Sequence, residues 1–228
     1  MDRLGALAEE VVSCHRCPRL VAWREEVATE KRAAFRDQTY WARPVPGFGD
    51  PTARIVVLGL APAAHGANRT GRVFTGDRSG EWLFRAMHRA GLANQPTSIH
   101  AGDGLRLRDA WVTASVKCAP PDNRPLPAER DACAPFVGRE LAVLQPSVVV
   151  CLGAFGYAAA CRHYGVRPRP RFGHGVEVVV TVAGGPVLLC SFHPSQQNTF
   201  TGRLTEPMLD AVFRRAAELA GGGRVPRR

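Results

Sequence analysis

Residues 54–83 read RIVVLGLAPAAHGANRTGRVFTGDRSGEWL, and the fold follows from how this stretch begins and where it leads. Ile55-Val56-Val57-Leu58 is an apolar run too short for a helix, and its lack of polar alternation marks a strand covered on both faces, as in a parallel sheet. The chain then turns at Gly59-Leu60-Ala61-Pro62, where Pro62 removes a backbone donor, and enters a loop of small residues holding one acid, Asp77, and one phenyl ring, Phe74. A loop at the carboxyl end of a buried parallel strand is where open α/β sheets bind ligands, because backbone N–H groups and helix amino termini converge there.

The same kind of short apolar run recurs outward from this stretch. Residues 110–116 (AWVTASV) and 147–152 read as two further buried strands. Helical periodicity fills the intervals: Trp82, Leu83, Ala86, Met87 and Ala90 share one face, residues 127–145 repeat through Phe136, Val137, Leu141 and Leu144, and residues 154–164 form a third crossover. Strand alternating with helix predicts a parallel sheet with right-handed connections. Residues 176–182 and 187–192 flank an Ala-Gly-Gly-Pro turn and predict two more strands. A last helix, capped by Thr205, places Met208, Leu209, Val212, Phe213, Ala216 and Leu219 on its buried side. Upstream, Leu4, Leu7, Ala8, Val11 and Val12 predict an amphipathic helix leading into Cys14, followed by a second helix over 19–35. Residues 92–108 carry no assignable pattern. These elements make one domain over residues 1–220, with 221–228 as a frayed basic tail.

At 228 residues and 45% apolar content the chain can bury a full core. Its first residues lack the basic start and apolar centre of a secretory signal, and the apolar uncharged run 141–161 is broken by Gln145, Pro146, Ser147, Gly153 and Gly156. A cytoplasmic, nucleoid-associated protein without a membrane span is therefore expected. The net charge is +10, and all but Lys31 and Lys117 of the 30 basic residues are arginine, whose planar fork suits phosphate. A polyanion, DNA or RNA, fits that balance; arginine-rich coding alone would explain the arginine share but not the positive sum. The loop GVRPRPRFGHG at 165–175 reads as a solvated surface that could also track a phosphate backbone.

Seven cysteines without a signal argue for thiols or metal ahead of a disulfide framework. Cys14 and Cys17 form a CxxC, and Cys118 and Cys133 a dispersed second pair. By spacing alone a zinc ion and a four-iron cluster fit equally; a redox dithiol is disfavoured because the CxxC does not open a helix after a strand. Cys151, Cys161 and Cys190 sit in apolar elements as core thiols.

Three polar loops follow three strands, carrying Asp77, Asn123 and His193, and a parallel sheet brings all three to one edge. Taken singly, each has an ordinary reading: Asp77 as a turn or cap residue, Asn123 as a loop brace between prolines, His193 as a strand-end histidine.

The motifs GLAPAAHGANRTGRVFTGD at 59–77, KCAPPDNRP at 117–125 and HPSQQNTFTGRLT at 193–205 together resemble the family 5 uracil-DNA glycosylases, over nearly the whole chain. The resemblance implies a three-layer α/β/α sandwich with a central four-stranded parallel sheet plus small antiparallel additions, and a [4Fe-4S] cluster held by Cys14, Cys17, Cys118 and Cys133. It implies a monomeric enzyme without a nucleotide cofactor that flips a deaminated base out of double-stranded DNA and cleaves its N-glycosidic bond. Uracil, and also hypoxanthine, xanthine and ethenocytosine, are the expected bases. Leu60 and Ala114 stand where the related family 4 enzymes usually have an acid and an Asn, and losing that Asn removes a reader of the uracil edge.

Under the same resemblance, Asp77 serves the sugar side, His193 the base oxygen, and Asn123 the base or the water. Gly59, Leu60, Ala61, Phe74 and Ala114 form the base pocket, with backbone N–H groups near Ala61, Ala63 and Gly66. Arg69, Arg72, Ser195, Gln196, Gln197 and Asn198 contact DNA. Two rivals are a non-catalytic cluster-bearing DNA-binding protein and an α/β nucleotide-binding enzyme. The latter lacks both GxGxxG and GxxxxGK[ST] after its first strand.

Overall fold

The computed structural model describes residues 3–182 and 184–221. Six strands form one sheet in the order β1-β3-β2-β4-β6-β5: β1 (Phe48–Gly49), β2 (Ile55–Gly59), β3 (Ala110–Ala114), β4 (Val148–Leu152), β5 (Glu177–Val179) and β6 (Val187–Ser191). The four central strands run parallel, and β1 and β5 pair antiparallel at the two edges. Fully buried strands of Val, Ile and Leu are what a sheet covered on both sides requires.

Alternate side chains of each strand point to opposite layers. Ile55, Val57, Val112, Val148 and Val150 face α4 (Arg78–Arg89) and α8 (Glu206–Gly221), packing on Leu83, Phe84, Met87, Leu209, Val212 and Phe213. Val56, Leu58, Val149 and Leu188 face α5 (Pro127–Leu144) and α6 (Gly153–His163), packing on Val137, Leu141, Leu144, Tyr157 and Ala160. The sandwich therefore has three layers, with the expected parallel centre and antiparallel additions. Cys151 and Cys190 are register partners on β4 and β6 and, with Cys161, lie inside the second layer.

Two smaller differences have local causes. The helix expected over 19–35 is α2 (Pro18–Glu30) followed by a separate 3-10 turn at Ala33–Phe35, because Lys31 takes a left-handed φ of 48° and ends the first run. The CxxC does open a helix, Cys17 being the N-cap of α2 with Pro18 in the first turn, but it follows α1 (Arg3–Val12) and not a strand. The patternless 92–108 segment is organised by one carboxylate: Asp103 accepts from the backbone N–H groups of Ile99 and Leu105 and from Arg72. Residue 183 of the expected turn and residues 222–228 of the expected tail lie outside the described residues; Gly221 still belongs to α8. Among the described residues no helix is long and apolar enough to cross a membrane.

Candidate active site

The parallel register places the ends of β2, β3, β4 and β6 at one edge, so the loops with Phe74 and Asp77, with Asn123 and with His193 all leave from there. The first loop returns over its own strand. Phe74 lies against Gly59: a Cβ there would sit 2.8 Å from the phenyl ring, so only glycine lets the ring reach the backbone. Phe74 takes a φ of 53°, a costly conformation for a bulky side chain and one that concentrates at functional sites.

Asp77 is the N-cap of α4, its Oδ1 accepting from the Gly80 N–H at 2.9 Å. Oδ2 presses on Gly66, where a Cβ would lie 2.1 Å away. The Phe74 ring centroid is 5.7 Å from that of His193. The same two loops meet again where the Arg78 guanidinium stacks 4.4 Å from the ring centroid of Phe200, the last residue of α7 (Gln196–Phe200). Asp77 and His193 are thus carried by loops that touch.

Both groups keep some accessible surface while dense protein surrounds them, the environment of a pocket floor. Burial pushes the Asp77 carboxyl up, opposed by the Gly80 and Ser79 backbone donors and by the Arg69 charge. Burial alone lowers His193 to about 4, so at neutral pH it is an uncharged imidazole that can donate one hydrogen bond.

Burial also lowers His65, His163 and His174. Each such histidine takes up a proton in the unfolded chain near its ordinary 6.5 before it can do so in the folded one, so folding weakens as pH falls below 6.5. The paired carboxylates Glu10, Asp103, Glu129 and Glu177 are lowered, and their contribution is lost only below 4.5, while raised Asp77 acts in the opposite direction. The melting temperature should therefore drop between pH 7 and pH 5, a histidine window, measured by thermal unfolding across that range, and most steeply in Asp77→Asn, where the opposing carboxyl is gone; a flat profile in that variant would contradict the burial of these four rings.

The other expected site residues separate into groups. Asn123 lies exposed on the 3-10 turn Pro121–Asn123 beyond β3, with a left-handed φ of 55°. Ala114 is buried at the end of β3 and presents only a methyl group. Ser195 and Asn198 shape their loop, Ser195 capping α7 and Asn198 Nδ2 donating to the His193 carbonyl at 2.9 Å, while Gln196 and Gln197 project outward. Arg69 is committed to its own loop, donating to the His65 and Gly76 carbonyls and stacking on Phe35.

Arg72 must be reassigned. It is 7% exposed and held by both Asp103 oxygens and by Ser98 and Thr75, so its guanidinium braces the 92–108 segment and is not free for a phosphate. Sequence reading passed over Phe200, which is 67% exposed on the His193 loop; an aromatic residue inside a run of polar residues was the available signal.

Leu60 and Ala61 leave the same edge in another direction. Leu60 lines a 140 Å³ cavity with Ser115, Arg130 and Phe155, and Ala61 packs against the apolar cluster that contains Cys118 and Cys133, as Cys14 and Cys17 also do. The four thiols of the two candidate pairs therefore share one small cluster with Leu7, Val11, Leu20 and Phe136. Burial pushes Cys118 up to about 11 and raises Cys17 and Cys133. Cys118 Sγ accepts from the buried Arg24 guanidinium at 3.2 Å, and Cys133 Sγ from the Lys117 N–H at 3.3 Å. Donors aimed at sulfur suit an all-thiolate site for a soft metal group. Among the described residues no three His, Cys, Asp or Glu side chains are gathered tightly enough to hold a single metal ion.

A family model described as "Uracil DNA glycosylase superfamily" matches residues 46–217. The chain is 57% identical over 212 residues to a "Type-5 uracil-DNA glycosylase" of Mycobacterium bovis, covering 91% of this chain and 78% of that protein. It is 53% identical over 219 residues to the protein of that description from Mycobacterium leprae, covering 94% and 95%. The counterpart from Thermus thermophilus is 52% identical over 223 residues, covering 97% and 100%.

Proposed function

This chain belongs to the uracil DNA glycosylase superfamily, and from that premise we propose that it excises uracil from DNA by hydrolysing the N-glycosidic bond. The observation that carries the proposal is the convergence of Phe74, Asp77 and His193 on one sheet edge, an aromatic face with an acid and a neutral imidazole on adjoining loops. The nucleotide must first leave the stack, at a cost of about a few kcal/mol. Phe74 stacks on the extruded base. As the bond breaks, positive charge grows on the sugar and negative charge on the base, so opposite charges are needed on opposite sides. Asp77 supplies the negative side, steering water or stabilising the cation. His193, uncharged, donates a hydrogen bond to the base oxygen as it gains charge. Asn123 assists from the neighbouring loop, and Gln196 and Gln197 face the DNA at the lesion.

Base choice extends to hypoxanthine, xanthine and ethenocytosine in this reading. The support is the methyl group of Ala114, which leaves no side-chain amide at the end of β3 to demand a uracil edge. Cys14, Cys17, Cys118 and Cys133 hold a [4Fe-4S] cluster, supported by the shared packing of the four thiols and by two N–H groups directed at sulfur. When bound, that group supplies a structural crosslink between the amino-terminal helices and the loop after β3.

Labelled duplexes carrying each of the four bases, incubated with purified protein and cleaved with alkali, test the proposal. Strand scission at uracil is expected, with scission at the other three marking the broader pocket. Absence of scission at uracil would leave a DNA-binding protein without this activity, and scission at uracil alone would remove the broad specificity.

A further inference from the structure

Arg24 stands in the middle of α2 and is 1% exposed. A cation taken that far from water is strongly disfavoured unless negative charge faces it. What faces Arg24 is sulfur and carbonyl: Nη1 lies 3.2 Å from Cys118 Sγ and 3.4 Å from the Cys14 carbonyl oxygen. The carboxylate it approaches, Glu25 Oε1, is 3.8 Å from Nη2 and belongs to a side chain that is 57% exposed. Its Nε is buried with no hydrogen-bond partner. The neighbouring buried cation is different, since Lys117 Nζ sits 2.8 Å from Glu140 Oε2. Of these two cations beside the thiols, one has a carboxylate at contact distance and the other has cysteine sulfur in that place.

We propose that Arg24 is the internal counter-cation of the thiolate shell made by Cys14, Cys17, Cys118 and Cys133, a tuning and positioning residue that ligates nothing itself. The inference rests on the cluster assignment above. Four thiolates around an iron–sulfur core carry net negative charge, and a charged N–H···S bond to Cys118 offsets it, stabilising the bound group and favouring its reduced form. The same residue reaches the catalytic loop: its carbonyl accepts from Asn68 Nδ2 at 3.1 Å, and Asn68 lies in α3 (Ala67–Thr70), directly after Gly66, on which Asp77 rests. Arg24 therefore joins the cysteine shell to the wall of the acid.

The test uses purified full-length protein and begins with the iron, sulfide and visible absorption of the wild type. Arg24→Gln and Arg24→Lys are then compared for iron release to a chelator and for the reduction midpoint. Arg24→Lys keeps the charge and should stay near the wild type. Arg24→Gln should release iron about ten-fold faster or more. Its reduction should be about ten-fold less favourable, a midpoint lower by about 59 mV for a one-electron couple.

Folded, loaded Arg24→Lys beside an Arg24→Gln that fails to assemble also supports the proposal. Wild-type behaviour of Arg24→Gln in both measurements, equal loss in both variants, or failure of both to fold would make Arg24 a packing residue and overturn it. Zinc in place of iron in the wild type would remove the cluster assignment alone. Arg24 is then judged by the same ordering of the two variants in zinc release.

Discussion

Replacing Asp77 by Asn should lower single-turnover uracil excision by about 100-fold to 10,000-fold while leaving the affinity for uracil-containing duplex unchanged. The choice of Asn separates two jobs held by one side chain. Asp77 Oδ1 caps α4 through the Gly80 N–H, and Asn is as good a cap as Asp, so the helix start survives. Charge is what disappears, in a site where burial has already made charge expensive. Asp77→Ala removes the cap as well and should cost about 1 kcal/mol of stability beyond the lost rate. Because the carboxyl is raised, excision by the wild type should fall as pH drops through that raised value, and the Asn variant should lack this acid limb. Rates within a few-fold of wild type for Asp77→Asn would show that the acid takes no part in bond cleavage.

The largest effect on stability is expected at Glu140. Its Oε2 accepts from Lys117 Nζ and Thr113 Oγ1, both at 2.8 Å, and Oε1 accepts from the Gly47 N–H at 3.2 Å, with the Lys117 and Glu140 side chains 1% and 3% exposed. Glu140→Ala strands the ammonium group in the core and should cost about 3–5 kcal/mol. Pairing Lys117→Met with Glu140→Leu removes both charges together and should recover most of that loss, since neither partner is then left unpaired. Urea unfolding followed by tryptophan fluorescence, with the slope unchanged between variants, measures both numbers. A single variant as stable as wild type would mean that water reaches Lys117.

The sheet was readable because its strands are short, apolar and followed by turn residues, and the helix faces because they repeat at the right spacing. Ile55 and Val57 going one way, Val56 and Leu58 the other, is the consequence of strand geometry that the run announces. The convergence of the Asp77 and His193 loops followed from parallel topology. Contacts made across long sequence separations were not readable. Arg72 looks like any loop arginine in sequence, and only Asp103, 31 positions away, shows it to be a brace. Arg24 looks like the polar face of an amphipathic helix, and its burial against Cys118, 94 positions on, comes from the way α2 packs on the loop after β3. The left-handed Phe74 is similarly silent, because nothing about phenylalanine advertises a positive φ.

The turn after β2 has a further consequence. Gly59 supports the phenyl ring, and Ala61, two positions later, packs on the apolar cluster that holds Cys118 and Cys133, so a single short bend of chain forms a party wall between two chambers. Remodelling one chamber means moving the other's partition. A bulkier residue at 59 would evict the phenyl ring, and one at 61 would press on the apolar packing around Cys118 and Cys133.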